Sequence, residues 1–216
     1  MQPFADRADA GRRLAAALST YKATPCVVLA LPRGGVAVAA EVALALPAPL
    51  GLLLVRKIGA PMQPELALGA VVDGTSPIVV RNDDVIALTG TSDQEFARIC
   101  AREQAELERR RRRYLADRLS PDVGGKVAIV VDDGIATGAT MRAALKALRQ
   151  RAPSRVVLAV PVAPPDSIAS LRADTDDVVC LEMPDDFLAL GFYYGDFRQL
   201  SDEDVVNILK LVPSAD

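Results

Sequence analysis

Histidine is absent from this 216-residue chain, and so is tryptophan. The first absence removes Ser-His and Cys-His nucleophile pairs and every His-ligated metal site. Any chemistry must therefore run on carboxylates, lysine, arginine, hydroxyls and backbone amides. Cysteine is scarce: Cys26, Cys100 and Cys180 lie far apart, are odd in number and form no C-x-x-C pair. That pattern suits neither a disulfide framework nor a zinc site, and it fits a reducing cytoplasm. Charge of one sign is not in excess, since 25 Lys plus Arg oppose 28 Asp plus Glu for a net charge of -3. There is no global pull toward nucleic acid or an anionic membrane, so any basic site must be local. A membrane-spanning run is missing too. The most apolar region, residues 36–55, contains Glu41, Pro47 and Pro49 and reads as a buried helix followed by a buried strand. The opening MQPFADRADAGRR is polar and of mixed charge, unlike a secretion signal.

Half of the residues are apolar, enough for a sizeable core, and the length suits one domain. Helical spacing marks residues 8–21, 36–46, 139–151, 166–172 and 201–211, the last capped by Ser201 and Asp204. Runs at 26–31, 50–55, 126–131, 155–160 and 177–182, most of them continuously apolar, read as the strands of a sheet covered on both faces. Residues 68–72 and 78–81, flanking Asp73-Gly74-Thr75-Ser76-Pro77, read as a hairpin outside the main sheet. Ser92-Asp93-Gln94-Glu95 has capping-box form and opens a long polar helix to about Arg118. Strands alternating with helices predict an α/β fold with a parallel sheet covered on both faces.

Residues 127–140 read VAIVVDDGIATGAT. A buried strand ends in Asp132 and Asp133, a short loop follows, and a helix begins. Ligands of open α/β sheets sit at the carboxyl ends of strands, and a helix N-terminus favours a phosphate. Gly134 and Gly138 permit a tight turn and close approach, while Thr137 and Thr140 add hydroxyl donors. The two aspartates suit a sugar diol better than a phosphate. Together these features describe a site for ribose 5-phosphate. The same strand could serve a P-loop ATPase, but no G-x-x-x-x-G-K-[ST] loop is present. A capped strand–helix turn is the plainer alternative.

DDGIATGAT resembles the phosphoribosyl pyrophosphate signature of type I phosphoribosyltransferases. The resemblance implies that Asp132 and Asp133 hold the ribose hydroxyls while Ala136, Thr137, Gly138, Ala139 and Thr140 wrap the 5-phosphate. It also implies a Rossmann-like core, a small hood at about 183–200 that binds the base, and an insertion or flap at about 56–120. Pro32-Arg33-Gly34-Gly35 stands where the family has its pyrophosphate loop, and consecutive glycines can form an anion-binding concavity. Arg56 and Lys57, taken as the end of the second strand, would face the diphosphate. The resemblance continues through RKIGAPMQPELALGAV and the C-terminal DFRQLSDEDV, which are similar to a subfamily of unassigned substrate. Arg33, Lys57, Asp132 and Asp133 are the expected catalytic residues. Mg²⁺ is the expected cofactor, held by Asp132 and Asp133 directly or through water. A homodimer is a family-level expectation.

Ala136 departs from the hypoxanthine–guanine members, which place an Asp at that position as base for the purine. The Ala-Thr-Gly form is closer to adenine-type members, yet the hood decides the acceptor. Within that hood, Phe187, Phe192, Tyr193, Tyr194 and Phe197 gather five of the nine aromatic residues, as core or as a base pocket. The helix at 93–118 carries eight arginines against six acids, with five in a row at 109–113. It reads as a solvated helix with i,i+4 pairs such as Glu106–Arg110, or as a cationic flap closing over the site. Few aromatics accompany those arginines, which argues against nucleic acid. The expected activity is transfer of ribose 5-phosphate to a nitrogenous base. A ligand-sensing regulator is the alternative, and a hydrolase accessory domain is disfavoured by the absence of G-x-S-x-G.

Overall fold

The computed structural model describes residues 4–63, 66–74, 77–115 and 118–213. Five strands form a wholly parallel sheet: β1 (Cys26–Ala30), β2 (Leu50–Leu52), β6 (Val127–Val131), β7 (Arg155–Val162) and β8 (Asp177–Glu182), in the order β2-β1-β6-β7-β8. β1 and β6 run in register from Cys26↔Val127 to Ala30↔Val131. Both are buried at every position, because helices or a second sheet cover each face.

Alternation along these strands feeds two cores. Val28, Ala30, Ile129 and Val131 point to one face and meet α1 (Arg7–Ala17), α2 (Gly34–Ala45) and α7 (Asp202–Lys210). Val27, Leu29, Ala128 and Val130 point to the other and meet α5 (Ala139–Arg149) and α6 (Pro165–Leu171). The sheet is thus the parallel α/β arrangement expected from the alternating apolar runs. Local signals act as read: Ser201 and Asp204 form a full capping box on α7, and Ser92 Oγ accepts from the Glu95 N–H at 3.2 Å.

One boundary differs from the sequence reading. The apolar run 50–55 is not one strand. The chain leaves the central sheet after Leu52, and β3 (Val55–Gly59) joins β4 (Ala67–Val72) and β5 (Ile78–Arg81) in an antiparallel sheet. Leu50, Leu52 and Leu54 fill the first core while Leu53 and Val55 turn into the second. No Gly or Pro stands between Leu52 and Val55, so composition hides the change. The hairpin of β4 and β5 lies outside the main sheet, pairing Val72 with Ile78. Its Thr75 and Ser76 lie outside the described residues, as do Pro64 and Glu65 before β4.

After α3 (Asp83–Thr89) comes the arginine-rich α4 (Asp93–Leu115). The expected extension to Arg118 crosses residues 116–117, which are outside the described set. α4 buries Phe96, Ile99, Cys100, Leu107 and Tyr114 in the first core, so it is a docked helix. Its arginines pair mainly outside, Arg110 with Glu106 at 3.0 Å and Arg112 with Glu108 at 2.9 Å. Among the described residues, no helix is long and apolar enough to cross a membrane.

Candidate active site

The strand order reverses at β1, whose neighbours are β2 on one side and β6 on the other. A crevice forms at such a switch point, outside the carboxyl ends of the strands. Pro32-Arg33-Gly34-Gly35 follows β1 and Asp132-Asp133-Gly134 follows β6, so both loops open on that crevice. The peptide bond between Pro32 and Arg33 is cis.

The two loops touch. A Cβ on Gly34 would collide with Asp133 Oδ2, and one on Gly35 would stand 2.9 Å from the Asp132 Cα. Glycine is required here by contact with the aspartate pair. Gly134 has φ +154, and a Cβ there would collide with Leu190 and meet the Val162 carbonyl at 3.0 Å.

Two helix ends at the crevice could accept an anion. Acidic side chains occupy the first turns of α1, α3, α4, α6 and α7 but not those of α2 or α5. Neither α2 nor α5 has a side-chain cap. These two helices begin at the crevice, at Gly34 and Ala139, and no side chain caps their first N–H groups, an arrangement that suits an anion. Gly138, at φ +74, is the N-cap of α5. Ala136, Thr137, Ala139 and Thr140 are exposed. The loop is anchored from beneath by Ile135 N–H to Val162 O at 3.0 Å and by Ser167 Oγ–H to Ala136 O at 2.6 Å.

The aspartates are held unequally. Asp133 is buried and accepts from Arg7 Nε–H at 2.7 Å. Arg7 also donates to the Arg198 carbonyl at 2.9 Å, and its guanidinium lies 4.0 Å from the Phe197 ring centroid. Tyr194 Oη–H donates to the Asp133 carbonyl at 2.5 Å. Burial raises the Tyr194 phenol, so it stays a neutral donor. Among the described residues, Asp132 has no such ion pair on its carboxylate. Burial pushes its carboxyl well above the usual carboxylate range, and the Asp133 charge adds to that; the Asp133 N–H, 2.8 Å from Oδ1, opposes it.

Arg33 approaches Asp202 of α7 at 3.8 Å. Arg113 of α4 reaches the same carboxylate at 3.3 Å, and Tyr114 Oη–H donates to it at 2.5 Å. The Tyr114 bond holds the Asp202 carboxyl below the usual range, with Arg113 and Arg33 contributing. Arg56 and Lys57 depart from expectation. They lie within β3 rather than at the end of a central strand. Arg56 is engaged by the buried Glu103 of α4, with Nε and Nη2 at 2.9 and 2.7 Å from Oε2. Lys57, the next residue, lines a cleft shared with Ala139 and Thr140 at the start of α5.

The aromatic segment joins the N-terminus to the site. Phe4 donates its N–H to the Tyr193 carbonyl, and Gly195 donates to Phe4 O, both at 2.7 Å. Tyr194 stacks on Phe197 at 4.8 Å, and Phe187 stacks on Tyr193 at 5.7 Å. Arg7, Glu103 and Asp202 carry no motif that marks them in the sequence. Arg7 stands in a polar stretch without motif, and only the aromatic cluster hinted at Tyr194.

The model of the phosphoribosyl transferase domain matches residues 4–194. The chain belongs to that family. Two curated Mycobacterium tuberculosis proteins, from strains H37Rv and CDC 1551, are 46% identical over 209 residues and named provisionally as phosphoribosyl transferases. These matches cover 97% of this chain but 47% of theirs, so the chain spans about half the length of those relatives. The crystal structure of TT1426 from Thermus thermophilus is similar throughout, with 46% identity and TM-score 0.84 over 97% of this chain and 98% of that one. None of these names assigns an acceptor to the phosphoribosyl transferase fold seen here.

Proposed function

We propose that the chain is a phosphoribosyltransferase that uses phosphoribosyl pyrophosphate and releases pyrophosphate. One observation carries the reading: the two acid-free helix N-termini and the Asp132-Asp133 pair converge on a single crevice. A 5-phosphate would sit against residues 136–140, the ribose hydroxyls against the aspartates, and the diphosphate against residues 32–35. The bond from ribose C1 to the diphosphate oxygen breaks, and the pyrophosphate leaves with the electron pair. A base nitrogen bonds to C1 and passes its proton to solvent. The transition state resembles an oxocarbenium ion, so the protein's contribution is positioning and charge stabilisation.

Within this reading Arg33 neutralises diphosphate charge, and Lys57 serves from the rim near Thr140. Arg56 braces α4 instead, being bound to Glu103.

The aspartate pair fits Mg²⁺: among the described residues the two adjacent carboxylates have one ion-pair partner, Arg7, which leaves one negative charge uncompensated, and burial disfavours the charge on Asp132. Asp132 and Asp133 would hold the ion directly or through water. No group of three ligating side chains occurs among the described residues, which suits an ion that relies on water and substrate oxygens. When bound, Mg²⁺ supplies charge neutralisation at the diphosphate. A reducing cytoplasm belongs to the same proposal, given three free cysteines, two of them buried.

The test is calorimetry with Mg²⁺ and phosphoribosyl pyrophosphate on wild type and on Asp132→Asn/Asp133→Asn, followed by a nucleobase screen for pyrophosphate release. Tight binding lost in the double variant supports the site, and equal affinity removes it. Binding without turnover on any base would turn the reading to a ligand-sensing regulator.

A further inference from the structure

The segment from Tyr194 to Asp202 runs along the crevice and reaches both of its loops. At one end Tyr194 donates to the Asp133 carbonyl. In the middle the Arg198 carbonyl accepts from Arg7, the partner of the Asp133 carboxylate. At the other end Asp202 opens α7 and faces Arg33 of the 32–35 loop. The first two contacts serve the aspartates, and the third serves the cation of the diphosphate loop.

Asp202 is held by α4. Its carboxylate accepts from the Tyr114 hydroxyl at 2.5 Å, meets Arg113 at 3.3 Å and meets Arg33 at 3.8 Å. These same partners, Tyr114 first, keep it charged by holding it below the usual carboxylate range. Tyr114 is fixed in turn, because its ring is buried in the first core. Among the described residues Arg33 has no other ion-pair partner. With about a third of its side chain exposed, the pair adds little to stability. Its effect is on where the guanidinium lies.

Charge and order decide the direction of that effect. A lone carboxylate beside a diphosphate would repel it. Here Arg113 offsets Asp202, and two arginines on one aspartate leave a net positive charge beside the crevice. A long side chain that is immobilised only on binding weakens affinity by roughly two- to tenfold, and one already held avoids most of that loss.

We infer that Asp202 is a positioning residue, which together with Tyr114 holds the Arg33 guanidinium in place for the diphosphate. The inference rests on the proposed function for its ligand, but the hold on Arg33 is measurable without one.

Arginine Nε–H signals of the ligand-free protein are followed by NMR relaxation, with Arg33→Gln identifying the Arg33 signal and circular dichroism checking each fold. That signal should be ordered in wild type and mobile in Asp202→Asn. Tyr114→Phe, which keeps the buried ring, should loosen it in part and is the second route if Asp202→Asn does not fold. Inorganic pyrophosphate with Mg²⁺, and separately ribose 5-phosphate, are titrated by calorimetry. Asp202→Asn should weaken pyrophosphate by roughly two- to tenfold and leave ribose 5-phosphate within about twofold. Asp202→Glu should recover most of the loss. In an Arg33→Gln background Asp202→Asn should change pyrophosphate affinity by less than about twofold, because the two residues act as one. Equal Arg33 order in wild type and Asp202→Asn overturns the inference. So does equal weakening of both ligands, which would make Asp202 merely structural. Pyrophosphate that fails to bind wild type would sink the proposed function, with the order of Arg33 still deciding the tether.

Discussion

Arg7 and Asp133 form a buried ion pair, Nε to Oδ2 at 2.7 Å, across 126 positions of sequence. It ties the first turn of α1 to the carboxyl end of β6, and so fixes one of the two carboxylates in the crevice. Removing one member of a buried pair leaves the other charge uncompensated, at a cost of about 3–5 kcal/mol. Arg7→Met should lower unfolding free energy by that order and weaken phosphoribosyl pyrophosphate binding. Arg7→Lys should recover part of the stability, since it keeps charge but not the fork that also reaches the Arg198 carbonyl. Urea denaturation and calorimetry read both, and a fully stable Arg7→Met would deny the pair its structural role.

Gly34→Ala should disable binding more than folding. The added methyl must push the Asp133 carboxylate away, and displacement by about 1 Å can cost on the order of a hundredfold at a positioned site. Gly124→Ala is the control, because the nearest atoms a Cβ there would meet belong to Asp122, at 3.4 Å or more. Similar ligand affinity in Gly34→Ala and wild type would show that the two loops do not act together.

Asp132 predicts a particular pH dependence. Its folded-state carboxyl titrates well above the ordinary range because of burial and the Asp133 charge. The folded chain therefore binds the proton more tightly than the unfolded chain. The stability from the protonated form is present at low pH and lost as pH rises through the raised value. Asp132→Asn should remove that decline, flattening the wild-type slope by at most about 1.4 kcal/mol per pH unit. Denaturation curves from pH 4 upward give the difference directly, and identical slopes would contradict it. Mg²⁺, which needs the carboxylate, should bind more tightly as pH rises over the same window.

Tyr194→Phe keeps the stacking on Phe197 but deletes the donor to the Asp133 carbonyl. A buried acceptor left unpaired costs about 1–3 kcal/mol. Thermal and chemical denaturation should show that loss without any change in secondary structure. A variant as stable as wild type would mean that the carbonyl finds another donor.

Glu103 holds α4 to β3 through two bonds from Arg56 and also accepts from Arg102 at 3.1 and 3.2 Å. Charge-assisted bonds of this kind contribute roughly 1.5–3 kcal/mol. Glu103→Ala should speed amide exchange across α4 before it affects the central sheet. Uniform exchange rates in variant and wild type would show that apolar packing alone seats the helix.

Much of the crevice is legible in the sequence. The strand, loop and helix of residues 127–140 are contiguous, so the apolar run, the aspartates and the glycines announce one another locally. The same holds for β1 running into Pro32-Arg33-Gly34-Gly35. Alternating buried strands and helices marked the α/β class, because each element's apolar pattern follows from covering both faces of a parallel sheet. Composition by itself also ruled out histidine chemistry.

The tertiary structure decided what depends on distant partners. The chain's departure from the central sheet after Leu52 is set by which core each leucine enters, and a uniformly apolar run carries no mark of it. Arg56 is held by Glu103, 47 positions away, a pairing that leaves no mark in the sequence around either residue. The inward set of Phe96, Ile99 and Leu107 made α4 a docked helix, a choice the five consecutive arginines left open. Arg7 and Tyr194 meet Asp133 across 126 and 61 positions, and contacts between such distant residues leave no periodic trace in sequence. The aspartate pair is visible in the sequence, but the unequal charge environment of its two members exists only when the chain is folded.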